Sequence, residues 1–156
     1  MAKTIPSILV FDIETVPDVA GLRRLNNDPD SRSDADVAKA AMEARAAQTG
    51  SDFLPLYLQK IVAISCVIRR TTKDGTPQFK VGSLGQIGDD EKTIIQAFFE
   101  LIEKYTPQLV SWNGSGFDLP VLHYRAMLNQ VAAPRYWEMG ESKDSDSKDF
   151  KWNNYI

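Results

Sequence analysis

The sequence predicts an α/β fold, and three stretches carry that prediction. Residues 8–13, Ile-Leu-Val-Phe-Asp-Ile, form a short apolar run rich in branched side chains, as a buried strand requires. Residues 60–84 hold two strand-like runs separated by turn chemistry. Residues 91–129 then alternate between helical periodicity, a short apolar run and helical periodicity again. Strands and helices in this order build a sheet covered by helices.

Each element has its own local reason. The first strand is closed by Pro17-Asp18, a turn signal. In the hairpin, Ile61 to Ile68 is apolar between charged ends, Lys73-Asp74-Gly75-Thr76 turns the chain, and residues 78–84 return antiparallel. A helix is expected over 91–105: Ile94, Ile95, Phe98, Leu101 and Ile102 share one face, Asp89-Asp90 suit its positive start, and Pro107 stops it. Residues 108–112 form a strand, Asn113-Gly114-Ser115-Gly116 a turn, and residues 119–129 a second helix with Pro120 in its first turn. Residues 21–52 differ in character, with a loop over 26–30 and an Ala-rich helical stretch over 35–47, and read as a peripheral helical insertion with a solvated face. The Ser-, Asp- and Lys-rich residues 140–151 read as a loop.

Composition bounds the function. The 156 residues are 43% hydrophobic and 25% charged, which fits one globular domain and excludes collagen-like, disordered and disulfide-scaffold chains. With 18 Lys and Arg against 21 Asp and Glu, the net charge of −3 argues against adhesion to nucleic acid through bulk charge. It leaves room for a nuclease, because bound cations reverse the sign of a carboxylate-lined site. Cys66, the one cysteine, is expected as a small hydrophobe buried in a strand. No signal-like apolar stretch or membrane-length run is present, so a cytoplasmic location without membrane contact is expected.

The chemistry concentrates in two places. A strand projects residues i and i+2 to one face, so Asp12 and Glu14 point together while Phe11 and Ile13 point away. Two carboxylates ending an apolar strand repel each other unless a hard cation such as Mg²⁺ or Mn²⁺ lies between them; a solvated strand end is the plainer reading. In Asn113-Gly114-Ser115-Gly116-Phe117-Asp118-Leu119-Pro120 a third carboxylate stands where loop meets helix. Asp118 suits a helix N-cap, but capping leaves Asn113, the paired glycines and the adjacent Phe117 unexplained.

Asp12-Ile13-Glu14-Thr15 followed by Asn113-x-x-x-Phe117-Asp118 resembles the first two motifs of the DEDD superfamily of 3′-to-5′ exonucleases, in the form carried by family-B DNA polymerase proofreading domains. With Val16-Pro17-Asp18, Lys60 to Cys66 and Ser111 to Pro120 added, the chain is similar to stand-alone bacterial proteins described as predicted exonucleases related to that domain. The resemblance covers most of the chain in order. It implies a ribonuclease H-like fold, with a mixed sheet flanked by helices, and two-metal phosphodiester hydrolysis with the ions about 4 Å apart. By that resemblance Asp12 bridges two Mg²⁺ or Mn²⁺ ions, Glu14 binds the water-activating ion, and Asp118 holds the second. The backbone at Thr15 and Val16 meets the terminal nucleotide, Phe117 offers a stacking surface, and Asn113 orients the loop or contacts the substrate. The implied partner is a nucleic acid with a free 3′ end, single-stranded DNA first.

One part of the pattern is missing. The superfamily's third motif, Tyr or His followed four residues later by Asp, has no counterpart: Tyr105 is followed by Leu109, His123 by Met127 and Tyr136 by Gly140, and Tyr155 is penultimate. The expected organisation is therefore a single exonuclease-like domain over residues 1–156 that lacks its C-terminal part and has little activity alone. The competing reading is a binding module for a nucleic-acid end or a protein, without the fourth carboxylate. Other features read as structure. Gly82 to Gly88 lacks a phosphate-loop ending, His123 lacks a second zinc ligand, Trp112 and Trp137 read as packing residues, and Arg69-Arg70 suit a charged hairpin edge.

Overall fold

The computed structural model describes residues 6–29, 31–72 and 74–138. Residues 140–151, read above as a loop, and Tyr155 lie outside them, as does Lys73 of the predicted turn. Four strands, β1 (Ile8–Pro17), β2 (Gln59–Thr71), β3 (Pro77–Ser83) and β4 (Gln108–Val110), form one sheet in the order β3-β2-β1-β4. The pairs β3/β2 and β2/β1 are antiparallel and β4 runs parallel to β1, so the sheet is mixed, as the family resemblance implies.

Helices α3 (Glu91–Tyr105) and α4 (Asp118–Leu128), with the short α5 (Pro134–Trp137), pack on one face of the sheet. α3 begins and ends where the sequence says. The Asp90 side chain accepts from Thr93 N–H at 2.8 Å, and Thr106 turns left-handed just before Pro107. Its buried stripe of Ile94, Ile95, Phe98, Phe99 and Ile102 meets Leu9, Phe11 and Ile13 of β1, with Phe98 set against Phe11 at 4.9 Å between ring centroids. Leu101, expected on that stripe, is only partly buried.

Between β1 and β2 the chain forms α1 (Val19–Asn26), which the sequence did not announce, and α2 (Asp34–Thr49), which it did. These two helices gather a separate small core of Leu22, Val37, Leu54 and Leu58. Val37 is the one buried residue of α2, so most of that helix faces solvent. Cys66 lies in β2 as expected but is half-buried, because its face of the sheet is only partly covered at that position.

Candidate active site

The site starts from the register of β1 against β2. Phe11 pairs with Cys66 and Ile13 with Ile64, and these residues face the helices. Asp12 and Glu14 therefore project to the other face, where both are exposed, as the i, i+2 argument requires. Between Glu14 and Thr15 the register shifts: Glu14 pairs with Ala63, Thr15 with Ile61, and Val62 is the extra residue. This bulge lets β2 bury Gln59 and Ile61 on one side of it and Ile64 and Ile68 on the other, which a strict alternation cannot do. Beyond it the Thr15 hydroxyl donates to Oε1 of Gln59 at 3.0 Å, and the Val16 side chain is exposed.

The second part of the site is the loop between β4 and α4. Asn113 takes a left-handed conformation, and its carbonyl accepts from the N–H groups of Gly116 at 2.9 Å and Phe117 at 3.1 Å. The glycines make room for the loop itself. A Cβ on Gly116 would stand 2.6 Å from Asn113 Oδ1, and one on Gly114 would collide with the Ser111 hydroxyl. With the loop so folded, α4 opens at Asp118. The N-cap position is held by Phe117, and no side chain caps this helix, so Asp118 is not the cap that its place in the sequence suggested. Its carboxylate turns instead toward the strand, where it meets the backbone of Ile13 and the charge of Asp12.

Asp118 is only 2% exposed. Burial pushes its carboxyl above the usual carboxylate range, hydrogen bonding to its own backbone works against that, and the charge of Asp12 adds to the rise. Asp12 and Asp118 line one cavity of about 460 Å³ together with Asn113, Phe117, Trp112 and Phe53. Glu14, Thr15 and Val16, although part of the same strand, do not line it. A wider groove of about 760 Å³ continues from Asp12 and Trp112 over the uncovered sheet face, past Val10, Val81 and Val110. Asp12 lines both, whereas Asp118 lines the smaller one, so the two carboxylates come together there.

Two aromatic residues depart from the sequence reading. Trp112, expected to pack in the core or a loop, is 91% exposed at the cavity, because β4 ends at Val110 and the chain turns outward before the next helix. Phe53 was not singled out, yet its ring lies 5.7 Å from that of Phe117. The available signal was a large aromatic between Asp52 and Leu54 outside any periodic pattern. Trp137 sets its ring 4.6 Å from that of His123 but is itself 41% exposed, so it packs at the surface and not in the core.

A family described as "Predicted 3′-5′ exonuclease related to the exonuclease domain of PolB" matches residues 51–156, which is more than half of the chain. The chain belongs to that family. Within this exonuclease family match fall β2, the loop from Ser111, and Asp118; the strand with Asp12 and Glu14 precedes it. The chain is also similar to DNA polymerase 1 of Sulfolobus acidocaldarius, 40% identical over 48 residues, a stretch that is 31% of this chain and 5% of that polymerase.

The donor chemistry of the cavity suits a hard divalent cation. Asp12 and Asp118 supply oxygen only, and their mutual repulsion is what a cation relieves. Among the described residues, no three His, Cys, Asp or Glu side chains close into a ready metal cage. No helix of the described residues is long and apolar enough to cross a membrane.

Proposed function

We propose that this chain is a divalent-cation-dependent 3′-to-5′ exonuclease domain that acts on single-stranded nucleic-acid ends. The observation that carries the reading is the sharing of one cavity by a buried Asp118 and Asp12, with their like charges coupled, in a member of an exonuclease family. Asp12 and Asp118 are the residues that would hold Mg²⁺ or Mn²⁺. When bound, such ions activate water and offset the charge of a phosphodiester. Glu14, two residues from Asp12 on the same face, is assigned the exposed side of the site. The backbone at Thr15 and Val16 flanks the terminal sugar, Asn113 holds the loop, and Phe117 presents a ring at the cavity wall. Residues 1–156 are read as one exonuclease-like domain, lacking a third-motif acid, with residues 21–52 as a peripheral insertion.

A second reading, a non-catalytic module that holds a nucleic-acid end, is favoured by one observation: Glu14 does not line the cavity. A single assay separates the two. A 5′-labelled single-stranded oligonucleotide is incubated with the chain and Mn²⁺, with chelator, and with Asp12→Ala. Chelator-sensitive shortening from the 3′ end that Asp12→Ala abolishes supports the exonuclease. No shortening by this chain, nor by one extended past Ile156, together with binding of the oligonucleotide, establishes the module.

A further inference from the structure

We propose that Phe53 is a substrate-binding residue that seats the terminal nucleobase beside the paired carboxylates; this rests on the exonuclease reading above. Phe53 stands in the segment between α2 and β2, far in sequence from either acidic motif, yet its ring forms a tilted pair with Phe117 at 5.7 Å. The ring is not core: it is 52% exposed and lines the cavity that holds Asp12 and Asp118.

Its position is built. The buried Gln59 side chain accepts from the Thr15 hydroxyl through Oε1 at 3.0 Å and donates from Nε2 to the Leu54 carbonyl at 3.0 Å. One amide thus ties the residue after Phe53 to the strand that carries Asp12 and Glu14. The Phe53 N–H is held by Ser51 Oγ at 3.3 Å. Trp112, which follows β4, adds a second broadly exposed ring to the same cavity.

The cavity therefore joins an acidic floor to an aromatic rim. A ligand that fits both parts carries a flat π-surface and, one bond system away, an anionic group bridged to the acids by cations. A nucleotide at a strand end has that construction. Stacking accepts any base, because every base has a π-face, but it requires the face to be free. Phe53 accordingly selects an unpaired end over a duplex end and is indifferent to which base is there.

The test is a fluorescence titration of the chain with a single-stranded 12-mer bearing 2-aminopurine at its 3′ end, in Ca²⁺, compared with the same probe placed internally. Wild type is expected to quench the 3′ probe, Phe53→Ala to bind it about tenfold more weakly, and Phe53→Tyr to bind within about twofold of wild type by keeping the stack. The internal probe, whose oligonucleotide ends in the same free 3′ nucleotide, should show little quenching in either protein because its base does not reach the ring, and circular dichroism confirms that the variants are folded. Tight binding that Phe53→Ala leaves unchanged overturns the proposal and spares the exonuclease reading. Failure of the folded wild type to bind either oligonucleotide overturns both.

Discussion

Arg125 and Glu91 form a buried two-point contact: Nε of the guanidinium donates to Oε1 at 2.7 Å, while Nη2 reaches Oε2. The same guanidinium donates through Nη1 to Asp18 Oδ2 at 2.7 Å and to the Tyr57 carbonyl at 3.0 Å. Glu91 also accepts from the Ile61 N–H. One side chain on α4 thus ties that helix to the start of α1, the start of α3 and the entry to β2. Arg125 stands seven residues, two helical turns, beyond Asp118, so this clamp and the site acid share a helix face.

Arg125→Met is therefore expected to destabilise the fold by about 3–5 kcal/mol, since it leaves two buried carboxylates without their cation. Burial by itself raises the Asp18 carboxyl, but the bonds from Arg125 and Gly21 N–H outweigh it and hold the group below its ordinary value of 3.8. A depressed carboxyl stabilises the fold above its ordinary value and loses that contribution as pH falls through the folded one. Urea unfolding from pH 7 to pH 2 should show this acid loss in wild type and a much shallower one in Arg125→Met.

Asp118 behaves in the opposite sense. Its carboxyl is raised by burial and by Asp12, so the charged form costs stability above the folded value and the cost disappears below the ordinary 3.8. Asp118→Asn should raise stability by about 0.5–2 kcal/mol at pH 7 without metal, and the gain should vanish in strong acid. Adding Mn²⁺ should reverse the order. At a hundredfold excess over its dissociation constant, the ion stabilises wild type by about 2.7 kcal/mol and leaves Asp118→Asn where it was. Thermal melts with and without Mn²⁺ read both effects.

His123 gives a third test. Its Nε2 is hydrogen-bonded to the Tyr136 hydroxyl, its ring meets Trp137, and burial pushes its pKa below 6.5. The unfolded chain takes up that proton first, so stability falls as pH drops below 6.5 until the folded value is passed. The chain has one histidine, so its imidazole signal can be followed without assignment by NMR. The midpoint should lie below 6.5, and His123→Gln should flatten the stability profile just under that pH.

Much of the scaffold was legible because it is written in short-range pattern. Alternation along β1 put Asp12 and Glu14 on one face, and Asp90 and Pro107 bounded α3. The hairpin of β2 and β3 followed from the apolar run Ile61 to Ile68, the turn residues Asp74-Gly75 and a returning segment after them. The Asn113 to Asp118 loop stood out as a candidate site because its residue types exceed what a helix start needs. What it could not reveal was the direction of the Asp118 carboxylate, since a cap and a site acid occupy neighbouring positions in sequence and differ only in what stands opposite.

The sequence by itself determined the α/β class, the acidic strand and the family resemblance, because periodicity, turn residues and motif spacing are local properties of the chain. Tertiary structure alone decided which groups meet. Asp118 is brought to Asp12 by the packing of α4 against the sheet, Arg125 to Asp18 across 107 residues, and Phe53 to Phe117 across a helical excursion. Each of these contacts depends on sheet register, on the bulge at Val62 and on how helices settle over the core. No local window contains that information, because the free energy that fixes it comes from burying surfaces distant in sequence.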